Sequence, residues 1–184
     1  GRNATPTLGD LDFDGDADMI IGESSGTLNL YENTGTSSQP EFTLISDEYL
    51  GIDVGRRSLP VLHDLDGDGD LDLVVGSESE GIHLFLNYGT RSAAEFIDVG
   101  PLDLEHFGFA APAFGDLDGD GDLDIVSASR DDDTIAWYEN DGAADPSWTA
   151  ADIDTNANSA QSVHVADMDG DGDLDIVSAS VNDD

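Results

Sequence analysis

A nonapeptide rich in aspartate occurs four times, and this repeat constrains the fold more than any other feature of the sequence. Each copy has Asp at positions 1, 3, 5, 7 and 9 and Gly at position 6. The copies, loops 1 to 4, occupy residues 10–18, 64–72, 116–124 and 167–175, so their starts are 54, 52 and 51 residues apart. A period of about 50 residues indicates an array of similar structural units that pack against one another.

The segments around each loop repeat as well. A short apolar stretch precedes each loop, at 5–8, 59–62, 111–114 and 162–165. A second run follows each loop, at 19–22, 73–76, 125–128 and 176–179. In the first three units a third run follows, at 27–31, 82–86 and 134–138. It leads into a turn that contains Asn33, Asn87 or Asn140. A looser fourth run ends each of these units, at 42–45, 96–99 and 148–153. Such short runs between Gly, Asn, Asp and Ser clusters predict strands, and no segment has a sustained helical period.

Four strands per unit predict an all-β fold of tandem four-stranded antiparallel blades of a β-propeller, with a metal loop between the first and second strand of each blade. The predicted blades cover approximately 4–54, 58–107, 110–156 and 161–184, and the last is incomplete. Closed propellers use about 4–8 blades, so about three and a half blades cannot close alone. We expect either a longer chain at both ends or copies that associate edge to edge. A stacked linear array of the same sheets is the alternative architecture.

The aspartates of each loop have the chemistry of a calcium site. Carboxylates at positions 1, 3, 5 and 9 converge on one centre if the loop curls, and calcium takes 6–8 oxygen ligands. The carbonyl of position 7 and one or two waters complete such a shell, and Gly at position 6 permits the sharp turn. An EF-hand loop would also need a bidentate Glu at position 12 and flanking helices. At that position the chain has Ile21, Val75, Ser127 and Ser178.

Four loops in register predict four calcium sites, whereas a single such loop could be a solvated acidic turn. The candidate metal residues are Asp10, Asp12, Asp14, Asp16, Asp18, Asp64, Asp66, Asp68, Asp70, Asp72, Asp116, Asp118, Asp120, Asp122, Asp124, Asp167, Asp169, Asp171, Asp173 and Asp175.

The repeated unit resembles the FG-GAP/VCBS repeat family, whose blades build the calcium-binding β-propeller of integrin α-chain heads and many secreted bacterial proteins. The resemblance rests on the sequence Asp-Leu-Asp-Gly-Asp-Gly-Asp-Leu-Asp of loops 2 and 3, the β-rich runs that follow them, and Thr-Ile-Ala-Trp-Tyr-Glu-Asn at 134–140. It implies side-chain ligands at positions 1, 3, 5 and 9. It also implies that position 7, which is Asp16, Asp70, Asp122 and Asp173, contributes its backbone carbonyl. Loop 1 differs from the sequence of loops 2 and 3 at Phe13, which replaces Gly, and at Ala17, which replaces Leu. Neither is a ligand position, so we expect the site of loop 1 to be retained.

The charge of the chain excludes several classes of partner. There are 42 acidic residues against five Arg and no Lys, which gives a formal net charge of −37. No basic stripe exists to bind nucleic acid or an anionic membrane surface. No apolar run approaches the ~20 residues of a membrane-spanning helix, and without cysteine there is no disulfide or thiol chemistry. Because 20 of the 33 Asp lie in the loops, the acidity indicates binding sites rather than a disordered tail.

We predict no enzymatic activity and no catalytic residues. Residues 22–26 match the nucleophile motif Gly-x-Ser-x-Gly, but that motif requires a strand, a turn and a helix, and both flanks here predict strands. Carboxylates that hold calcium stay ionised and are therefore poor general acids. His83 and His106 have no recurrent acidic or Ser partner, and His63 and His164, one and three residues before loops 2 and 4, are expected to be strand side chains.

The predicted function is that of a non-enzymatic calcium-binding propeller module, an extracellular or cell-surface structural or adhesion scaffold, since weak calcium sites fill only outside the cytosol. Its expected partners are calcium, an extracellular protein or glycan, and further copies of the chain through the open edge strand. One alternative is a carbohydrate-binding propeller attached to a polysaccharide-degrading enzyme. Another is a subunit of a self-assembling surface filament. Asn3 begins the one N-glycosylation sequon in the sequence.

Overall fold

The computed structural model describes residues 3–102 and 110–181, in which fourteen strands follow one another. Sheet 1 contains β1 (Thr5–Gly9), β2 (Asp18–Gly22), β3 (Leu28–Asn33) and β4 (Phe42–Ser46). Sheet 2 contains β5 (Leu59–His63), β6 (Asp72–Gly76), β7 (Ile82–Asn87) and β8 (Phe96–Pro101). Sheet 3 contains β9 (Ala110–Gly115), β10 (Asp124–Ser129), β11 (Thr134–Asn140) and β12 (Trp148–Asp154). Sheet 4 contains β13 (Ala160–Ala166) and β14 (Asp175–Ser180). The described helix is one 3₁₀ turn at Tyr49–Gly51.

Each sheet is an antiparallel meander in which the strands lie in sequence order. Each aspartate loop joins the first strand to the second. In sheet 1, for example, Gly9 pairs with Asp18 at the two ends of loop 1. The prediction of an all-β array of antiparallel blades with the loop in this place is therefore confirmed. The last sheet has two strands in the described part of the chain, so the array contains about three and a half blades.

The hydrophobic core lies between the sheets, because each sheet packs its faces against its neighbours. Sheets 1 and 2 enclose a cluster of Ile20, Leu28, Ile52, Val54, Leu62, Leu73, Val75 and Phe85. Sheets 2 and 3 enclose a cluster of Leu65, Val74, Ile82, Leu84, Leu86, Ala110, Ile125, Ala136 and Tyr138. The third cluster, between sheets 3 and 4, contains Val126, Ala128, Ile135, Ala157 and Ala160. In this arrangement β6 and β10 are buried along their whole length, since both faces of each strand are covered.

The second strand of a blade approaches the backbone of the next blade very closely. Gly22 ends β2, and a Cβ atom at this position would overlap the Ser58 carbonyl oxygen. The same carbonyl accepts a hydrogen bond of 2.7 Å from the Thr5 hydroxyl. Gly76 has the equivalent place in blade 2, where a Cβ atom would overlap the Ala110 carbonyl oxygen. These glycines let neighbouring blades pack with their first strands side by side.

The two ends of the described array are open. Among the described strands, β14 pairs with β13 alone, and Val177 on β14 is 45% exposed. At the other end, Leu8 of β1 is 59% exposed, whereas the corresponding Leu62 of blade 2 is buried against blade 1. The residues outside the described part include His106, the predicted blade end at residue 107, and Asp184.

Candidate metal centres

The carboxylate at position 1 closes every loop by accepting a hydrogen bond from the N–H of the glycine at position 6. The donor–acceptor distances in loops 1 to 4 are 3.0, 2.9, 3.1 and 3.2 Å. Glycine is required at position 6 because its φ lies between 92° and 103° in the four loops, a region that favours residues without a side chain. The loop therefore curls around its first aspartate, as the calcium hypothesis expects.

Positions 3 and 5 continue the curl. In all four loops the carboxylate at position 3 accepts a hydrogen bond from the N–H of position 5, at 3.1–3.2 Å. The carboxylate at position 5 accepts one from the N–H of position 7, at 2.8–3.0 Å. Successive Asx turns of this kind need short acidic or amide side chains, which explains the alternation of aspartate along the loop. Four loops separated by about 50 residues thus fold into one local structure.

Position 9 connects the loop to the body of the blade. Asp18, Asp72 and Asp124 are buried, and one oxygen of each accepts the N–H of position 2 at 2.7–3.1 Å. The other oxygen accepts the N–H of the asparagine that ends the third strand, at 2.8–3.0 Å. In loop 4, Asp175 is exposed and accepts the N–H of Met168 at 2.9 Å. The structural role of position 9 was not predicted, although the asparagine at each third-strand end marked its partner.

Burial has an electrostatic consequence at position 9. It raises the pKa of Asp72 to about 6, against the opposing effect of the backbone hydrogen bonds from Asn87 and Leu65. Burial also raises the pKa of Asp18. Burial penalises the charged form of these two carboxylates, and a cation bound nearby would offset that penalty.

Three carboxylates converge in every loop. The groups whose oxygens lie within 4.8 Å of one another are Asp10, Asp12 and Asp14; Asp64, Asp66 and Asp72; Asp116, Asp118 and Asp120; and Asp167, Asp169 and Asp175. Positions 1 and 3 thus belong to every group, joined by position 5 in loops 1 and 3 and by position 9 in loops 2 and 4. Oxygens at these separations can all lie about 2.3–2.6 Å from one calcium ion. The donor set, all hard oxygen, fits calcium better than zinc or copper.

In loops 2 and 3 the side chain at position 7 contacts a neighbouring turn and does not belong to the carboxylate group. Asp70 lies against Arg91 of the β7–β8 turn, with Nε 3.4 Å from Oδ1. Asp122 lies against Gly142 of the β11–β12 turn, where a Cβ atom would overlap the carboxylate. This direction is compatible with the expected use of the position 7 carbonyl. The assignment of individual ligands stays a prediction.

Loop 1 contains a strained residue that the sequence analysis treated as neutral. Position 4 has φ between 72° and 80° in loops 2, 3 and 4, where it is glycine. In loop 1 this position is Phe13, with φ 61°. A left-handed conformation is unfavourable by about 1–2 kcal/mol for such a residue. The glycines at position 4 of the other three loops were the signal that could have revealed the strain.

The serine motif and the described histidines are not members of the carboxylate groups. Residues 22–26 form the turn between β2 and β3, so the serine motif has strands on both sides. His63 packs against Phe114 of the next blade at a ring distance of 4.7 Å, and burial lowers its pKa. His83 lies 3.5 Å from Glu80, and His164 is on β13.

Comparison with known proteins identifies the repeat. The family model described as FG-GAP-like repeat matches the chain twice, over residues 64–127 and 116–178. Together the two matches cover more than half of the chain, including loops 2, 3 and 4. No match was found among curated protein sequences. In the part of the chain that the structure describes, no helix has the length and apolar character needed to cross a bilayer.

Proposed function

Because the chain belongs to the FG-GAP-like repeat family, we propose that it is a non-enzymatic calcium-binding β-propeller module that acts as an extracellular structural or adhesion scaffold. The observation that carries this proposal is the fourfold recurrence of one loop, which gathers three aspartate carboxylates within 4.8 Å each time. The same closure by position 6 and the same Asx turns present these carboxylates in a similar arrangement in every loop, which supports one kind of ligand for all four.

Calcium would relieve a repulsion that is built into the fold. Each loop carries five aspartates, and the whole chain has a formal net charge of −37. A metal that binds only the folded form stabilises it by about 2.7 kcal/mol per site when its concentration is a hundredfold above Kd. Four such sites are comparable with the ~5–15 kcal/mol stability of an ordinary domain. The calcium-bound array is therefore the stable state of the proposed scaffold.

The exposure of the loops supports the extracellular assignment. In loop 3 the aspartates at positions 1, 3 and 5 are exposed or half-buried, and their carboxylates accept backbone hydrogen bonds. Such sites lose part of their attraction for a cation to solvent screening. Extracellular modules of this kind bind calcium with Kd of about 10⁻⁴–10⁻³ M, a range that cytosolic calcium does not reach.

Thermal unfolding tests the proposal. We expect millimolar calcium to raise the melting temperature of metal-stripped protein strongly, and the same concentration of magnesium to raise it less, because magnesium demands octahedral geometry and releases its water reluctantly. Sodium chloride of equal ionic strength controls for screening. An identical melting temperature with and without calcium would refute the proposal.

The open edge of β14 favours self-association as a second property of the scaffold. Among the described strands β14 pairs with β13 alone, and Val177 is exposed, so this edge is of the kind that another chain can extend. High net charge opposes association, and bound calcium would weaken that opposition. Light scattering at physiological salt should show a larger species with calcium than without it. A monomer under both conditions would refute self-association and leave calcium binding untouched.

A further inference from the structure

Loops 1 and 2 are connected by a residue that belongs to neither of them. Arg91 lies at the tip of the turn between β7 and β8, which is closed by two hydrogen bonds between Thr90 and Ala93, at 3.1 and 2.9 Å. Its Nε is 3.4 Å from Asp70 Oδ1 in loop 2. Its Cζ lies 5.2 Å from the ring centroid of Phe13 in loop 1. One guanidinium therefore contacts the metal loops of two successive blades.

The residues around Arg91 provide space, a carboxylate and an aromatic ring for its guanidinium group. Gly69, at position 6 of loop 2, leaves the space that the guanidinium fills, and a Cβ atom there would overlap Nη2. The Asp70 side chain is 11% exposed, so the ion pair is shielded on one side, whereas the Arg91 side chain is 49% exposed. Phe13 presents its ring to Arg91 from the left-handed backbone conformation that its position imposes. A cation over an aromatic ring and beside a carboxylate is attracted by both.

The described parts of blades 1 and 3 do not repeat this contact. In blade 1 the turn residue that corresponds to Arg91 is Ser37, and Asp16 Oδ1 has no hydrogen-bond partner in the described structure. In blade 3 the position 7 carboxylate, Asp122, lies against Gly142. In the part of the chain that the structure describes, the contact is found at the interface between blades 1 and 2. It also places a positive charge between two loops of five aspartates each.

We propose that Arg91 is a positioning residue that clamps loops 1 and 2 together and keeps both ordered before calcium binds. The inference rests on the proposed calcium function, because the clamp matters most when ten carboxylates lack their metal. The fixed charge offsets part of their repulsion, and the two contacts limit the movement of loop 1 relative to loop 2. In loop 3 the position 7 carboxylate, Asp122, lies against Gly142 instead of an arginine, so loop 3 should depend more on calcium for its order.

Amide hydrogen exchange of the full chain in excess chelator tests the clamp. In the unchanged protein, the N–H groups at positions 5, 6 and 7 should exchange more slowly in loops 1 and 2 than in loop 3. Arg91→Gln should accelerate exchange in loops 1 and 2 by roughly fivefold, the factor that corresponds to about 1 kcal/mol, and should leave loop 3 unchanged. Arg91→Lys, which keeps the charge but loses the planar group, should fall between the two.

Arg56→Gln is the matched control, because it removes the same charge from an Arg whose side chain is 72% exposed and faces Glu78 rather than a loop. Arg56→Gln should leave the exchange rates of all the loops unchanged. Equal exchange in loops 1, 2 and 3 of the unchanged protein, or equal acceleration of all loops by Arg91→Gln, would overturn the clamp. Amide exchange of the unchanged protein with added calcium separates calcium binding from the clamp. If calcium slows exchange in none of the loops, calcium binding is refuted, whereas the test of the clamp in chelator is unaffected.

Discussion

Asp124 and Asp120 belong to the same loop, yet the structure predicts very different consequences for their removal. Asp124 is completely buried, and its two oxygens accept the N–H groups of Leu117 and Asn140 at 2.9 and 3.0 Å. Asp120 is exposed and accepts the N–H of Asp122 at 3.0 Å. The first holds loop 3 on the blade, whereas the second shapes the loop and belongs to the carboxylate group with Asp116 and Asp118.

The magnitude for Asp124→Ala follows from the groups left behind. Two backbone N–H groups lose a charged acceptor, and a buried donor without a partner destabilises by about 1–3 kcal/mol. We expect Asp124→Ala to lower the free energy of unfolding by about 3–5 kcal/mol in metal-free protein. Asp120→Ala should lower it by less than about 1 kcal/mol, since water replaces the lost acceptor. Asp124→Asn keeps one acceptor oxygen and should fall between the two.

Urea unfolding in chelator and again in saturating calcium measures these differences. With calcium at a hundredfold excess over Kd, the difference in free energy of unfolding between Asp120→Ala and the unchanged protein should grow by up to about 2.7 kcal/mol, because the variant lacks a site that the unchanged protein fills. The Asp124→Ala deficit should already be large in chelator. Equal deficits of the two variants in metal-free protein would refute the assignment of position 9 to the structure of the blade.

Three further predictions follow from the same contacts. In calorimetric titration, Asp120→Ala should remove one calcium site, while Asp122→Ala should retain all sites, and equal losses would make the position 7 side chain a ligand. Asn140→Ala should destabilise the chain by about 2–4 kcal/mol in urea unfolding, since the buried Asn140 amide donates to the Leu65 carbonyl of the neighbouring blade at 3.0 Å. In metal-stripped protein the melting temperature should rise as the pH falls from 7.5 to 5. Burial raises the pKa of Asp72 to about 6, so the folded form holds that proton more tightly than the unfolded chain, and the stability that it contributes is lost as pH rises through 6. A melting temperature that falls over the same range would contradict this sign.

The order of strands and loops could be predicted from the sequence because it depends on neighbours in the chain. The apolar run before each loop and the run after it form the first and second strands, and Gly15 and its equivalents at position 6 adopt the turn that their type permits. The convergence of positions 1 and 3 follows from the curl of nine residues. Local spacing was sufficient for these features.

The features that escaped prediction depend on contacts between distant parts of the chain. Asp18 anchors loop 1 to the blade because the N–H of Asn33, 15 residues away, donates a hydrogen bond to its carboxylate. Arg91 contacts Phe13 across 78 positions of sequence, and no periodic pattern places the two together. The strain at Phe13 is an intermediate case. The glycines at the same position of loops 2 to 4 indicated it, but only the backbone conformation shows that position 4 requires a positive φ.

The most direct test of the account is a crystal structure of the chain grown in millimolar calcium, with anomalous scattering used to locate the ions. The account predicts one calcium peak in each of the four loops, about 2.3–2.6 Å from carboxylate oxygens of positions 1, 3, 5 and 9 and from the position 7 carbonyl. Peaks elsewhere on the surface, or loops that hold water alone at that calcium concentration, would contradict it.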